Sequence, residues 1–301
     1  MAFFRTLPLA ELGGFDALAF EQQLQEQAAF IGIVYGGAFL IGLCLLIVFT
    51  MRIQNRPLSW AVPLDTLSRR PWDMSASGFI ILPLIGVQLV FMLVLRWWGG
   101  AMDQGDGRVE VALLVLQSLL FHWICFALIF GIMKQKRVGW SQAFGIQLSG
   151  IPREIFAGIV IILGVMPLII GYNFVARMVM DWIQYAPEIQ DVTRIISAAS
   201  GWGVKAYLVL LAVVVAPVVE ELLFRGVLLP AISRLAGVKF AIVAVSILFA
   251  AVHGTYLPQS IIFFILSVAF CLAYIYRQSI VTSIAMHALF NSLTIAVILR
   301  L

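Results

Sequence analysis

The chain has 301 residues, of which 62% are hydrophobic and 11% are charged, and its formal net charge is +4. Soluble domains are about half apolar and about a quarter charged, so this composition excludes an ordinary soluble protein and indicates a polytopic membrane protein. The basic residues are dispersed over short loops, so no nucleic-acid binding is expected. The three cysteines lie singly in apolar runs, without the spacing of a zinc site.

The hydropathy pattern predicts eight transmembrane helices, because about 17–25 mostly apolar residues cross a bilayer. No room remains for a soluble domain, so the predicted fold class is all-α, a polytopic membrane protein of about eight transmembrane helices. In chain order the predicted spans cover roughly 28–51, 76–98, 111–133, 155–176, 204–230, 238–253, 257–276 and 280–299.

The distribution of Lys and Arg predicts the orientation. The loops 52–75, 134–153, 231–239 and 277–279 together hold eleven of these residues, and the opposite side holds seven. The positive-inside rule therefore places both termini outside. The longest polar connection, 177–203, is interpreted as an outer amphipathic connector at the membrane interface. A lid or a substrate-contact element is the alternative interpretation of this segment.

Three ionisable residues interrupt the fifth predicted span, in the sequence VVEELLFR. Charges inside the hydrocarbon cost a few kcal/mol or more, so they usually face a protein cavity and mark function. Glu221 and Arg225 are four positions apart and are expected to pair on one helical face. Glu220, about 100° away, is then left as a candidate general base. The alternative is a structural ion pair that locks two helices together.

Pro217 precedes these charges by three residues. Since proline has no backbone N–H, it is expected to kink the helix and to leave the carbonyl of Val213 without its usual partner. Such a distortion is tolerated in a membrane where a cavity or a neighbouring helix satisfies the freed carbonyl.

Two of the three histidines lie in later spans, at a similar depth. His253 ends the run SILFAAVH, and His287 lies four residues before Asn291, so the latter two share one face. Counted from the predicted cytoplasmic ends at about 1.5 Å per residue, Glu220 lies about 15 Å deep, His287 about 11 Å, Asn291 about 17 Å and His253 about 20 Å. One buried polar site near the midplane is predicted. His122 is left out of it, as an interhelical hydrogen-bond partner.

A carboxylate, two imidazoles and an amide favour one kind of chemistry. A free carboxylate and a neutral imidazole can hold and deprotonate a water, while a second imidazole and an amide can donate to an oxyanion. The combination fits hydrolysis of an amide bond by activated water. No G-x-S-x-G elbow and no cysteine in register with a histidine is present, which argues against a covalent nucleophile.

These residues form three motifs that resemble those of the type II CAAX prenyl endopeptidases and their bacterial relatives, the CPBP or ABI membrane proteins. The family pattern is Glu-Glu-x-x-x-Arg, then Phe-x-x-x-His, then His-x-x-x-Asn on successive helices. This chain has EELLFR at 220–225, FAAVH at 249–253 and HALFN at 287–291. The resemblance covers about 204–295, roughly a third of the chain.

The resemblance implies an intramembrane glutamate endopeptidase, a hydrolase that needs no bound metal or other cofactor. Glu220 and His253 would activate the water, and His287 and Asn291 would form the oxyanion hole. The remaining carboxylate–guanidinium pair of the first motif, Glu221 with Arg225, would organise the site. The resemblance does not identify the substrate, because some relatives act as adaptors or in immunity.

The resemblance also divides the chain. Residues 1–203 would form a four-span membrane region with the outer connector, and residues 204–301 would form a four-helix catalytic core. The expected partners are a membrane protein or peptide substrate and the lipid bilayer. The expected location is multi-pass in the plasma membrane of a prokaryotic cell, because the chain is compact and carries no organelle signal.

Three other interpretations stay open. Two histidines and a glutamate can bind zinc, which would make the protein a zinc-dependent membrane protease, although no H-E-x-x-H sequence is present. A proton-coupled transporter could use Glu220 and His253 as a relay, although no inverted repeat is evident. A non-catalytic scaffold could retain the motifs for packing. The substitution Glu220→Gln separates an enzyme from a scaffold.

Overall fold

A computed structural model describes residues 27–55, 61–99, 107–185, 201–253 and 258–300. Within these ranges the regular structure is helical, and no β-strand occurs in them. Seven helices in these ranges are long and apolar enough to cross a bilayer. The prediction of an all-α polytopic membrane protein is therefore confirmed. The predicted amphipathic helix of the outer connector lies outside the described residues.

We number the helices of the described residues in chain order. Helices α1 to α6 are Ala28–Asn55, Ala61–Ser68, Met74–Gly99, Gly107–Lys136, Trp140–Phe144 and Ile151–Trp182. Helix α7 is the continuous run Trp202–Ala236, and α8 to α10 are Val238–His253, Gln259–Arg277 and Ile280–Arg300.

The eight predicted spans correspond to α1, α3, α4, α6 and α7 to α10, and one of these helices is shorter than a bilayer requires. The sixth predicted span is α8, which has 16 residues. At about 1.5 Å per residue it is about 24 Å long, shorter than the hydrocarbon core of about 30 Å. The described residues therefore contain seven helices of spanning length and one shorter apolar helix. Because α8 is short, its C-terminal residue, His253, lies inside the protein.

Two π-helical segments interrupt α7, Leu211–Val215 and Leu222–Leu228. Between them lies a short α-helical segment, Ala216–Glu221, which carries both carboxylates of the first motif. In a π-helix the backbone bonds run from residue i to i−5, and such segments are frequently found at functional sites. The unusual backbone of α7 thus coincides with its unusual charges.

Pro217 follows the first π-helical segment of α7, and its missing N–H also affects a carbonyl that the sequence did not predict. In the first π-helical segment the N–H of Ala216 bonds to the carbonyl of Leu211, five residues earlier. In that register the next N–H would bond to the carbonyl of Ala212, and proline lacks this group. The prediction for Val213 assumes an α-helical register, and the π-helical register adds the carbonyl of Ala212 as a group without a backbone donor.

The freed carbonyl receives its hydrogen bond from another helix. The Nδ2 group of Asn291, on α10, donates to the carbonyl of Ala212 at 2.8 Å. A buried carbonyl without a partner would cost about 1–3 kcal/mol. This contact therefore stabilises the π-helical turn and fixes α10 against α7 beside the site.

Helices α6, α9 and α10 are joined at the predicted cytoplasmic side. The guanidinium of Arg277 donates to both carboxylate oxygens of Glu154, at 2.6 and 2.9 Å, and the hydroxyl of Thr282 donates to the same group at 2.7 Å. Close packing begins one turn further along α6, where a Cβ on Gly158 would lie 2.8 Å from that of Ala285. These contacts set the position of α6 beside the candidate site.

Candidate active site

The structure brings the polar residues of the three motifs to one buried place, where α7, α8 and α10 meet. Nε2 of His253 lies 3.1 Å from Oε2 of Glu220, and Nε2 of His287 lies 3.8 Å from the same oxygen. These three side chains are at most 7% exposed. Asn291 lines the same cavity as these groups. The polar atoms that the sequence placed at similar depth therefore converge.

Glu221 and Arg225 form the ion pair expected from their spacing, but the pair is not isolated. Nη1 of Arg225 donates to Oε1 of Glu221 at 2.8 Å, and both side chains are fully buried. Nδ1 of His287 approaches the same oxygen at 3.0 Å. One carboxylate oxygen thus links the guanidinium of α7 to the imidazole of α10.

The contacts at Nδ1 determine which nitrogen of each imidazole carries hydrogen. Nδ1 of His253 lies 2.8 Å from the carbonyl oxygen of Phe249, and Nδ1 of His287 faces the carboxylate of Glu221. Both partners accept hydrogen bonds, so Nδ1 donates in both rings. In a neutral ring Nε2 then carries a lone pair, and both Nε2 atoms face Glu220. These acceptor atoms repel one another unless a proton or a cation lies among them.

Aromatic rings from α8 and α9 enclose the charges. Phe270 stacks on His287 with centroids 5.3 Å apart, and Phe249 lies 4.1 Å from the ring of His253. The guanidinium of Arg225 lies 4.4 Å from the centroid of Phe249 and 5.1 Å from that of Phe270. Cation–π contacts of this kind stabilise a buried guanidinium. By excluding water, the rings also strengthen the electrostatic interactions between the site residues.

Two residues of α9 complete the site and were not predicted from the sequence. The hydroxyl of Ser267 accepts a hydrogen bond from Nη2 of Arg225 at 2.6 Å, and Phe270 stacks on an imidazole. A serine or a phenylalanine is common in an apolar span, so neither gave a signal. His122 remains separate from the site: its Nδ1 contacts the carbonyl of Ser118 in α4, and it is not among the described residues that line the cavity.

A cavity of about 450 Å³ adjoins the polar cluster. Its described lining comes from α1 and from α6 to α10, and most of it is aliphatic or aromatic. Cavities of this size with a few converging polar groups are typical ligand and substrate sites. There is room for a short apolar segment of polypeptide beside the carboxylate and the imidazoles.

Fold and site together define a polytopic α-helical membrane protein with a buried glutamate–histidine site at an apolar cavity. Residues 202–293 match the family model described as type II CAAX prenyl endopeptidase Rce1-like. The resemblance inferred from the three motifs is thereby confirmed for this stretch. No curated protein and no solved structure matches the chain. The family match supports a CAAX-type intramembrane protease as the general class, with a membrane-associated peptide as substrate.

Proposed function

We propose that the protein is an intramembrane endopeptidase of the glutamate type, with its catalytic core in residues 204–301. Glu220 and His253 activate a water, and His287 and Asn291 stabilise the oxyanion. The observation that carries this proposal is the convergence of three helices on one carboxylate oxygen, next to an apolar cavity. The proposed location is the plasma membrane of a prokaryotic cell.

Glu220 is the general base. Water attacks the carbonyl carbon of the scissile bond while its proton passes to the carboxylate. The same proton then goes to the nitrogen of the leaving amine, so the carboxylate is regenerated when the bond breaks. Nε2 of His253 lies 3.1 Å from the carboxylate. It either shares a proton with the carboxylate or accepts a proton from the water. Its ring is fixed for this task by the Nδ1 contact with the carbonyl of Phe249.

The proposed oxyanion hole depends on Glu221, which does not line the described cavity. Because Nδ1 of His287 donates to Glu221, its Nε2 can donate to an oxyanion only when the ring is an imidazolium. The buried carboxylate of Glu221, which is paired with the guanidinium of Arg225, lies against that ring. Asn291 has two amide hydrogens, of which one bonds to the carbonyl of Ala212. The second is available to the oxyanion.

A divalent metal at the same place is the second candidate. Glu220, His253 and His287 each offer a ligand atom within 4.8 Å of the others. Both histidines also have Nδ1 bound to an acceptor, which is how protein partners orient metal-ligating imidazoles. In that case the metal would activate the water, and the glutamate would be a ligand.

The substitution Glu220→Gln tests the proposal in the cell. Chain termini of membrane and secreted proteins are compared by mass spectrometry between wild type, Glu220→Gln and the matched control Asp65→Asn, a change at an exposed surface ion pair. We expect specific new termini in wild type and in the control, and their loss in Glu220→Gln. If no terminus depends on Glu220 although the variant is folded and keeps the wild-type phenotype, the scaffold interpretation replaces the protease.

A second measurement separates the two candidates for water activation. The purified protein is treated with EDTA, its metal content is determined by mass spectrometry, and cleavage of a Glu220-dependent substrate is measured. We expect full activity at substoichiometric metal content. Activity that disappears with EDTA and returns with zinc would assign the site to a metal.

A further inference from the structure

Helix α4 carries three buried polar side chains that the proposed mechanism does not use. Gln117, Ser118 and His122 are 1%, 2% and 7% exposed. Polar side chains in a membrane-spanning helix usually face the protein interior or water, and they often mark function. Nε2 of Gln117 donates to Oε1 of Gln88 at 3.0 Å, so this side chain faces α3. The other two residues have a different neighbour, α7.

Ser118 and His122 belong to a polar seam between α4 and α7. The hydroxyl of Tyr207, on α7, bonds to that of Ser118, and His122 interacts electrostatically with Glu220, further along α7. The segment Ala216–Glu221, which carries Glu220, packs against α4. We call the polar groups of Tyr207, Ser118 and His122 the α4–α7 seam. This seam connects Tyr207 with the neighbourhood of the proposed general base.

Two groups of the α4–α7 seam can accept hydrogen bonds from water. The hydroxyl of Ser118 donates to the carbonyl of Val115 at 3.0 Å, so the bond between the two hydroxyls is donated by Tyr207. The phenolic oxygen of Tyr207 retains acceptor capacity. Nδ1 of His122 donates to the carbonyl of Ser118, so Nε2 of its neutral ring is an acceptor. Water molecules can therefore bridge these groups.

The α4–α7 seam begins near one end of the membrane-spanning helices. Tyr207 lies five positions after Trp202, the first residue of α7, which is about 8 Å at 1.5 Å per residue. Glu220 lies thirteen positions further, about 20 Å deeper. Tyr207 is half-buried, whereas His122 is buried. The seam therefore runs inward from the predicted outer end of α7.

The α4–α7 seam is separate from the cavity. The described lining of the cavity comes from α1 and from α6 to α10 and includes Glu220, but it includes no residue of α4. Hydrolysis adds one water molecule across each peptide bond and gives a carboxylic acid and an amine, so every turnover consumes water. A substrate segment in the cavity covers Glu220, whose side chain is only 7% exposed. Water that arrives from the side of α4 still reaches this carboxylate.

We propose that the α4–α7 seam is the route by which water reaches Glu220 while substrate occupies the cavity, and that His122 is a positioning residue that keeps this route polar. The inference rests on the proposed function, because it takes Glu220 as the base that activates the water. His122 does not touch the substrate in this scheme and acts only on the water supply of Glu220. A structural role, in which the ring only fills space between helices, predicts different behaviour of the same variants.

The first measurement detects water and requires no cleavage. The full chain in phosphatidylcholine nanodiscs is exposed to X-ray-generated hydroxyl radicals, and side-chain oxidation is measured by mass spectrometry and corrected for intrinsic reactivity. Tyr274, a buried tyrosine of α9 outside the seam, is the internal control. We expect His122 and Tyr207 to be oxidised several-fold faster than Tyr274. Oxidation of His122 as slow as that of Tyr274 overturns the proposal.

The second measurement uses variants that close or open the seam. His122→Phe replaces the imidazole by a ring of similar size that cannot bond to water. Because polar groups without partners are costly, kcat on a Glu220-dependent substrate should fall by about tenfold to a hundredfold, with KM within about twofold of wild type. His122→Ala leaves room for water and should keep kcat within about threefold of wild type.

The order of these two variants distinguishes the two roles. If His122 only fills space, His122→Ala leaves an empty volume and lowers stability and kcat more than His122→Phe does; that order overturns the proposal. Ser118→Val is a second closing variant, because it removes a hydroxyl of the seam, and it should lower kcat as His122→Phe does. Unchanged kcat in either closing variant, once that variant is shown to be folded by SDS titration, refutes the route.

The matched control is Gln117→Leu, which removes a buried polar side chain from the same helix on the side that faces α3. This variant should leave kcat unchanged, because Gln117 is not part of the α4–α7 seam. A loss of kcat as large as that in His122→Phe overturns the proposal, since any loss of polarity in α4 would then have the same effect.

Failure of this inference and failure of the proposed function give different results. Processing that depends on Glu220 but is indifferent to the closing variants refutes the water route alone. Rapid oxidation of His122 and Tyr207, in a protein whose Glu220→Gln variant still processes every substrate, refutes the protease mechanism and leaves a hydrated seam.

Discussion

Asn291 is expected to have a structural and a catalytic task, and two substitutions separate them. Its amide donates one hydrogen to the carbonyl of Ala212, the group freed by Pro217, and we assign the other to the oxyanion. Asn291→Ala removes both donors. Pro217→Ala restores a backbone N–H at the position where the π-helical register would reach Ala212, so it can repair only the structural loss.

The magnitudes follow from these two tasks. A buried carbonyl without a partner costs about 1–3 kcal/mol of the free energy of unfolding. Loss of one oxyanion donor lowers kcat by about 10²–10³-fold. Asn291→Ala should show both effects. The double variant with Pro217→Ala should regain most of the free energy of unfolding, while kcat stays as low as in Asn291→Ala.

The free energy of unfolding is measured by SDS titration in mixed micelles, and kcat is measured on a Glu220-dependent substrate. Pro83→Ala, at an exposed proline inside α3, is the matched control and should rescue neither quantity. If Pro217→Ala restores kcat as well, Asn291 acts only through the backbone of α7 and the oxyanion assignment is refuted. If it restores nothing, the freed carbonyl is not the reason for the instability.

Three other substitutions test separate parts of the structure. Glu221→Gln should lower kcat by about 10²–10⁴-fold, because it removes a charge about 3 Å from the imidazole of His287. KM should change by less than about twofold, because Glu221 does not line the described cavity. A change in KM as large as that in kcat would contradict a positioning role. Ser267→Ala should lower the free energy of unfolding by about 1.5–3 kcal/mol in SDS titration, since its hydroxyl accepts from the buried guanidinium; no change would show that this bond is dispensable. The N–H of Ala76 and the ammonium of Lys136 hold the pKa of Asp73 below its usual value. Its stabilising effect is therefore fully present above the unfolded pKa of about 3.9 and is lost as pH falls through the lower folded pKa. Asp73→Asn should lower the free energy of unfolding by less than about 1 kcal/mol at pH 7, and by less at pH 3 than at pH 7.

The helices could be predicted from the sequence because a bilayer demands long apolar segments, and this demand is local in the chain. The register of α7 could not be predicted in the same way. The π-helical turn determines that Pro217 leaves the carbonyl of Ala212 without a backbone donor. The side chain that donates to this carbonyl is Asn291, 79 positions away in the chain. A contact at such a distance leaves no local pattern in the sequence.

In the site, too, contacts within one helix could be predicted from the sequence, whereas contacts between helices could not. Fixed spacings within single helices, such as that of Glu221 and Arg225, were sufficient to predict one ion pair. The sharing of that carboxylate with His287 joins two helices and has no equivalent spacing. Ser267 lies on a helix without a motif, so its proximity to the site follows only from how α9 packs against α7 and α10.

A count of charges explains why the sequence combines two carboxylates with two imidazoles. The guanidinium of Arg225 balances one carboxylate, so the buried site needs one further positive charge, and an unpaired buried charge costs several kcal/mol. Among the described residues, the imidazoles of His253 and His287 are the basic groups within 4 Å of Glu220. Glu220→Gln removes the negative charge together with this need, so the variant should fold. A histidine substitution would instead remove a basic partner from a buried carboxylate. Glu220→Gln is therefore the decisive test of the catalytic proposal.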